Sequence, residues 1–218
     1  KMFNRDIIHR LKQWKSSDSR KPLILRGARQ VGKTTVVNEF GKTYANYLYY
    51  NMEQNQDRNV MEMDIPMENL ETMLYASKGK ENHKGDTLLF IDEIQNSPKT
   101  IARLRYFYEQ LPNLHVIAAG SLLENLIDVK VSFPVGRVQY MALRPCSFFE
   151  FLGALGKGNL RTILSPSPEM AHPFHNELMN LFQQYMLVGG MPEIVDAFSK
   201  HKDILGLDSY FETLVTAY

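Results

Sequence analysis

The sequence predicts an α/β fold: a three-layer α/β/α core around a five-stranded parallel sheet, followed by a small α-helical lid. Three observations carry that prediction. Short apolar runs alternate with amphipathic stretches five times, the pattern of a parallel sheet covered by helices on both faces. Residues 27–34, Gly-Ala-Arg-Gln-Val-Gly-Lys-Thr, match the phosphate-loop pattern G-x-x-x-x-G-K-[ST] between such a run and such a stretch. The apolar run Leu88-Leu89-Phe90-Ile91 ends in the acidic pair Asp92-Glu93, where ligands of parallel sheets bind.

Asn4 to Trp14 reads as a short amphipathic helix with Ile7, Ile8 and Leu11 on one side, and Ser16 to Lys21 as a polar connector. Pro22 to Leu25 is the first strand, and Lys33 to Phe40 a helix carrying Val36, Val37 and Phe40 toward the sheet. Asn46 to Met52 is the second strand, rich in tyrosines that suit β-structure. Gln54 to Ser77 is mostly helical, with a break near Pro66. Thr87 to Ile91, introduced by Gly85-Asp86, is a central strand buried on both faces. Lys99 to Leu111 places Ile101, Leu104, Tyr108 and Leu111 at helical spacing until Pro112. His115 to Ala119 is the fourth strand, a short helix starts at Leu122, and Arg137 to Leu143 is the fifth strand. The core is expected over residues 1–153, a linker with Gly156-Lys157-Gly158-Asn159 and Ser165-Pro166-Ser167-Pro168 over 154–173, and the lid over 174–218. On the lid, Leu178, Leu181, Phe182 and Tyr185 form one stripe.

The chemistry follows from the octet. Gly27 and Gly32 admit backbone conformations that a Cβ forbids. The loop amides and the following helix N-terminus then form a cradle for phosphates. Gly27, Ala28, Arg29, Gln30, Val31, Gly32, Lys33, Thr34 and Thr35 are the candidate nucleotide-binding residues. Lys33 is placed to reach the β- and γ-phosphates, and the Thr34 hydroxyl to hold Mg²⁺ with Asp92. Glu93 suits a general base on water, so Glu93 and Lys33 are the candidate catalytic residues. Ser121, at the end of the fourth strand, is either a sensor of the γ-phosphate or the N-cap of the next helix. Arg137 is either a charge at the nucleotide or a neighbouring subunit, or an exposed strand-end arginine.

Bulk properties exclude other classes. Among 218 residues 44% are hydrophobic and 22% charged, an ordinary globular balance, and the formal charge of +1 neither demands nor excludes nucleic acid. The single Cys146 allows no internal disulfide, and it reads as a buried small residue. No apolar stretch approaches the ~20 residues of a membrane span, and Lys1 to Trp14 lacks the apolar segment of a signal peptide; a cytoplasmic protein without a membrane partner is expected. His172 and His175 have no third metal ligand at a recognisable spacing. Arg5, Arg10, Lys12, Lys15, Arg20 and Lys21 read as a solvated basic face, with nucleic acid as the alternative, and Tyr47, Tyr49 and Tyr50 as strand packing rather than base-stacking.

Five strings together resemble a prokaryotic AAA+/STAND-type P-loop ATPase, more narrowly the archaeal-ATPase-like "ATP-binding protein" group. They are the octet at 27–34, Phe-Ile-Asp-Glu-Ile-Gln at 90–95, Ala-Gly-Ser-Leu-Leu at 119–123, Leu-Arg-Pro-Cys-Ser-Phe-Phe-Glu-Phe-Leu at 143–152 and Gly-Gly-Met-Pro-Glu at 189–193. The resemblance implies Mg²⁺-dependent ATP binding and hydrolysis, with Gly190 and Pro192 approaching the nucleotide from the lid. It also implies a further C-terminal domain beyond Tyr218, through which a DNA or protein partner would be engaged. The alternative function is a low-turnover ATP/ADP switch or scaffold recruiting such a partner. Oligomeric state is left open.

Overall fold

The computed structural model describes residues 3–81, 86–121, 134–164 and 172–216. They form two compact units, His9–Leu143 and Lys1–Ile8 together with Arg144–Tyr218. The larger unit is built on a five-stranded, all-parallel sheet in the order β2-β3-β4-β1-β5, with β1 Leu23–Arg26, β2 Asn46–Asn51, β3 Thr87–Asp92, β4 Leu114–Gly120 and β5 Gln139–Ala142. Strands β3 and β4 are buried at every position, which is why both read as unbroken apolar runs. Between the strands lie α2 Lys33–Gly41, α3 Asn55–Met61, α4 Met67–Ser77 and α5 Pro98–Gln110, and α1 Ile7–Lys15 precedes them. The break expected near Pro66 is real: Pro66 stands immediately before α4. The helix expected from Leu122 lies outside the described residues.

Side chains at alternate strand positions explain the layers. Ile24, Leu48, Tyr50, Leu89, Ile91, Val116 and Ala118 pack in one cluster with Met61, Leu70, Leu74, Ile101, Leu104 and Phe107 from α3, α4 and α5. Tyr47 belongs to the other face, where its ring leaves no room for a Cβ on Gly41 of α2 (2.7 Å). The tyrosines of β2 are therefore packing and hydrogen-bonding residues: Tyr47 donates to Asn38, and Tyr50 to the Leu74 carbonyl at 2.7 Å.

Arg10 and Lys12 are exposed as expected, but the other basic residues near the N-terminus do not join them in one solvated face. Arg5 is 2% exposed and buried against Glu150. Lys15 pairs with Asp86, Arg20 donates to the Lys15 carbonyl at 3.1 Å, and Lys21 to the Gly136 carbonyl at 2.6 Å. Their hydrogen bonds go to the fold, which corrects the expectation from charge spacing alone.

Below the sheet's N-terminal edge, His115 of β4 is hydrogen bonded to the Tyr44 hydroxyl at 2.8 Å and meets Trp14 and Tyr44 edge-on. Burial, with Arg20 and Lys15 nearby and Asp86 partly offsetting them, pushes its pKa down to about 4. A histidine with a depressed folded pKa favours the fold only while neutral. That stability is whole above pH 6.5 and declines as pH falls toward 4. Denaturant titrations at pH 7 and pH 5 should therefore show the parent losing about 1–2 kcal/mol more than His115→Gln.

In the second unit, α6 Phe148–Ala154, α7 Gly158–Leu164, α8 His175–Val188, α9 Pro192–His201 and α10 Asp208–Thr216 are the helices described. Phe151, Val188, Ile194, Val195 and Phe198 form one core, and Leu152, Leu160, Leu178 and Leu181 a second. Part of the stretch read as a linker is thus ordered helix, α7, anchored by the buried Leu160. Residues 165–171, with Ser165-Pro166-Ser167-Pro168, lie outside the described residues. Ser147 caps α6 through a capping box with Glu150. Among the described residues no helix is long and apolar enough to cross a membrane.

Candidate functional site

Strand β1 delivers Arg26 into the loop at the C-terminal end of the sheet, and Leu143 N donates to the Arg26 carbonyl at 2.8 Å. This pairing brings the backbone at the end of β5 against Gly27. A Cβ on Gly27 would stand 2.3 Å from the Leu143 oxygen, so close backbone approach requires glycine here. Gln30 (φ 58°) and Gly32 (φ 90°) then turn the chain through left-handed conformations into α2. No side chain caps α2. Its first turn thus keeps the positive end of the helix directed at the loop.

Lys33, 6% exposed, folds over the loop and donates to the carbonyls of Gly27 and Ala28, both at 2.8 Å. Burial pulls its pKa down, and the charges of Glu93 and Asp92 partly restore it. Loop lysine and acidic pair thus act on one another electrostatically although 58 or more residues separate them. The neighbouring Thr34 hydroxyl donates to Asp92 Oδ2 at 2.7 Å. Asp92 itself is 3% exposed, and burial raises its pKa, followed by the charge of Glu93; donation from Thr34, the Glu93 amide and Tyr49 opposes the rise.

The strand carrying the octet and the strand carrying the acids are not adjacent, because β4 lies between them. Their C-terminal ends still converge: α2 crosses over β4 and β3, setting Thr34 above Asp92. Past Asp92 the chain turns sharply, with Glu93 in a left-handed conformation (φ 49°, ψ 43°). Among the described residues three non-glycines have positive φ, and two of them, Gln30 and Glu93, stand at this site. Such backbone costs on the order of 1 kcal/mol per residue and persists where surrounding contacts impose it. For Glu93 those contacts are its carbonyl, which accepts from Asn96 Nδ2 at 3.2 Å, and its carboxylate, which accepts from Gln95.

One contributor went unread in the sequence. Tyr49 donates to Asp92 Oδ2 at 3.3 Å, and burial followed by the charge of Asp92 pushes its own pKa up to about 12. The phenol therefore stays a donor across the working pH range. Its signal is present in the alternation of β2, where Tyr47 and Tyr49 share the face opposite the buried Leu48 and Tyr50.

The remaining candidates are distributed differently. Ser121 directly follows β4 at the same end of the sheet and is half-buried. Arg137 stands at the other end. Strand β5 begins two residues later, paired Gln139 to Leu23, so at least four strand residues, ~13 Å, separate Arg137 from the level of the loop. Its guanidinium is bound to Glu109 at 2.9 Å, a carboxylate that Arg105 also holds. Arg137 therefore lies before β5, held by Glu109, at the end of the sheet away from the loop of its own unit. Gly190 and Pro192 belong to the helical unit. Gly190 accepts from the Cys146 amide at 2.6 Å, and a Cβ on it would stand 2.6 Å from the Cys146 oxygen; Pro192 opens α9.

Comparison with known proteins adds the following. A family model described as an AAA domain matches residues 19–152, well over half of the chain. No curated protein matches the sequence. Among solved structures, the Walker-type ATPase PABY2304 of Pyrococcus abyssi is similar over 99% of this chain and 72% of its own length, at 17% identity and a TM-score of 0.56. Drosophila ORC bound to DNA is similar over 88% of this chain and 58% of its own, at 15% identity and a TM-score of 0.54. The Aeropyrum pernix ORC1 protein in complex with DNA gives 71% and 48%, 13% identity and a TM-score of 0.46. The chain spans less than two thirds of the last two. At such identities the likeness is one of fold.

Proposed function

We propose that the chain, which belongs to the AAA domain family, binds ATP with Mg²⁺ and hydrolyses it, and that its helical unit responds to the nucleotide state. The observation that carries this reading is the 2.7 Å contact between Thr34 and Asp92, beside Lys33 on one side and Glu93 on the other. Cis oxygens around an octahedral Mg²⁺ with 2.0–2.1 Å bonds stand about 2.9 Å apart. A hydroxyl and a carboxylate already at nearly that spacing suit a cation that takes its other ligands from phosphates and water. The same residues fit a triphosphate: an uncapped helix start, glycine at the close approach, and one ammonium in the loop.

In this reading the amides of residues 27–35 and Lys33 bind the phosphates, Thr34 and Asp92 hold the metal, and Glu93 accepts the proton of the attacking water. Bound Mg²⁺ supplies charge neutralisation at the phosphates. Ser121 reports on the γ-phosphate, and Gly190 with Pro192 carries the response in the helical unit. Membership of the STAND-type group, and a DNA or protein partner, belong to the same reading. DNA is a reasonable first partner to test because the Drosophila ORC structure is of a complex with DNA.

Steady-state phosphate release with ATP and Mg²⁺, with and without duplex DNA, tests it. Turnover supports the ATPase reading. Tight binding without turnover at any DNA concentration would favour a nucleotide switch instead. Lys33→Ala should weaken binding of a fluorescent ATP analogue roughly 10- to 150-fold, the loss of about 1.5–3 kcal/mol from charged hydrogen bonds.

A further inference from the structure

After β3 the 3-10 turn Ile94–Asn96 brings Gln95 back alongside Glu93, and Gln95 Nε2 donates to Glu93 Oε2. The other end of this amide is the informative one. Gln95 Oε1 is buried and has no hydrogen-bond partner among the described residues. An orphaned buried acceptor costs about 1–3 kcal/mol, and proteins retain such atoms where a water or a ligand satisfies them. The amide cannot be turned to remove the problem, because Oε1 would then face the Glu93 carboxylate, acceptor against acceptor. A second buried atom lacking a partner, Arg26 Nε, belongs to a guanidinium whose cation lies over the Tyr140 ring at 4.0 Å. Gln95 has no such cover.

We propose that Gln95 positions the water that Glu93 activates. The inference rests on the hydrolytic reading above. One O–H of the water donates to Gln95 Oε1 and the other to the Glu93 carboxylate, whose orientation Gln95 Nε2 fixes. The two acceptors turn a lone pair of the water oxygen toward the γ-phosphorus. That lone pair forms the new P–O bond. The bond from the γ-phosphorus to the bridging oxygen breaks with its electron pair remaining on ADP, and the water proton passes to Glu93. Inorganic phosphate and ADP are the products, and Gln95 gains and loses nothing. It is a positioning residue, acting on water through one end of its amide and on Glu93 through the other.

The test uses the full chain with Gln95→Met, which keeps length and removes both polar ends, and Gln95→Glu, which keeps an acceptor and sets a second carboxylate against Glu93. For Gln95→Met we expect kcat to fall about 10- to 100-fold with KM and the affinity for a non-hydrolysable ATP analogue unchanged. Affinity for ADP–aluminium fluoride, which captures the in-line water, should fall by a similar factor. For Gln95→Glu, whose second carboxylate repels that of Glu93 and disturbs its orientation, kcat should also fall with KM unchanged. Unchanged or raised kcat in Gln95→Met overturns the proposal, as does an analogue affinity that falls in step with kcat. If Gln95→Met does not fold, an unchanged kcat in Gln95→Glu overturns it. A parent protein that neither binds nor hydrolyses ATP overturns both this proposal and the reading beneath it, whereas a parent and a Gln95→Met protein of equal turnover overturn this proposal alone.

Discussion

Glu93→Gln should bind ATP as tightly as the parent, or somewhat more tightly, and release phosphate at least ~100-fold more slowly at saturating ATP and Mg²⁺. The two halves of that result have separate causes. Glutamine has the shape of glutamate, so the left-handed turn at Glu93 and the contact of Asn96 with its carbonyl are untouched. The carboxylate of Glu93 lies close enough to Lys33 to support its positive charge, and it raises the pKa of Asp92. Removing that negative charge lessens repulsion toward a triphosphate, which is why affinity does not fall. What disappears with the charge, and decides turnover, is acceptance of a proton from water. Phosphate release measured against an equilibrium titration with a fluorescent ATP analogue separates the halves. Full turnover in this variant would remove Glu93 from the chemistry; lost binding would make it a structural acid instead.

Much of the fold was legible because buried parallel strands are continuous apolar runs, and Thr87 to Asp92 and Leu114 to Gly120 have no exposed residue to break the pattern. Strand order was not legible. Nothing in the sequence around 114–120 says that it inserts between the strand of the octet and the strand of the acids, since lateral pairing depends on crossover handedness and packing rather than on local pattern. Arg137 shows the cost of reading position along a strand without direction: it stands two residues before β5, and in a parallel sheet the beginning of a strand is the edge away from the loop. Arg5 shows a different limit. A basic residue ahead of an amphipathic helix has the same local signature whether it faces water or a carboxylate 145 residues later. The loop and the acidic pair were legible because their chemistry demands fixed residue types at fixed spacing. Tyr49 and Gln95 act through orientation, which a residue type alone does not encode.

The buried pair Arg5–Glu150 carries the second large effect, on stability rather than turnover. Their side chains are 2% and 7% exposed and 2.9 Å apart. Glu150 Oε1 also accepts from the Asp6 amide at 2.8 Å, Oε2 accepts from the Ser147 amide at 2.9 Å, and Arg5 Nη2 donates to the Arg144 carbonyl at 2.6 Å. One carboxylate thus balances a guanidinium, closes the capping box of α6 and ties the segment before α1 to it. Glu150→Ala removes the carboxylate that faces the buried Arg5 guanidinium and should destabilise the helical unit by about 3–5 kcal/mol, with the lost cap adding ~1 kcal/mol. Glu150→Gln separates the two causes, because glutamine still completes a capping box but removes the negative charge beside Arg5. Adding Arg5→Met to Glu150→Gln removes the charge as well, and this double variant should be more stable than Glu150→Gln alone. Denaturation should be followed by helical circular dichroism, since Trp14, the single tryptophan, sits in the His9–Leu143 unit. A Glu150→Ala protein within about 1 kcal/mol of the parent would mean that the pair is not the anchor its burial indicates, and that water reaches Arg5 once the carboxylate is gone.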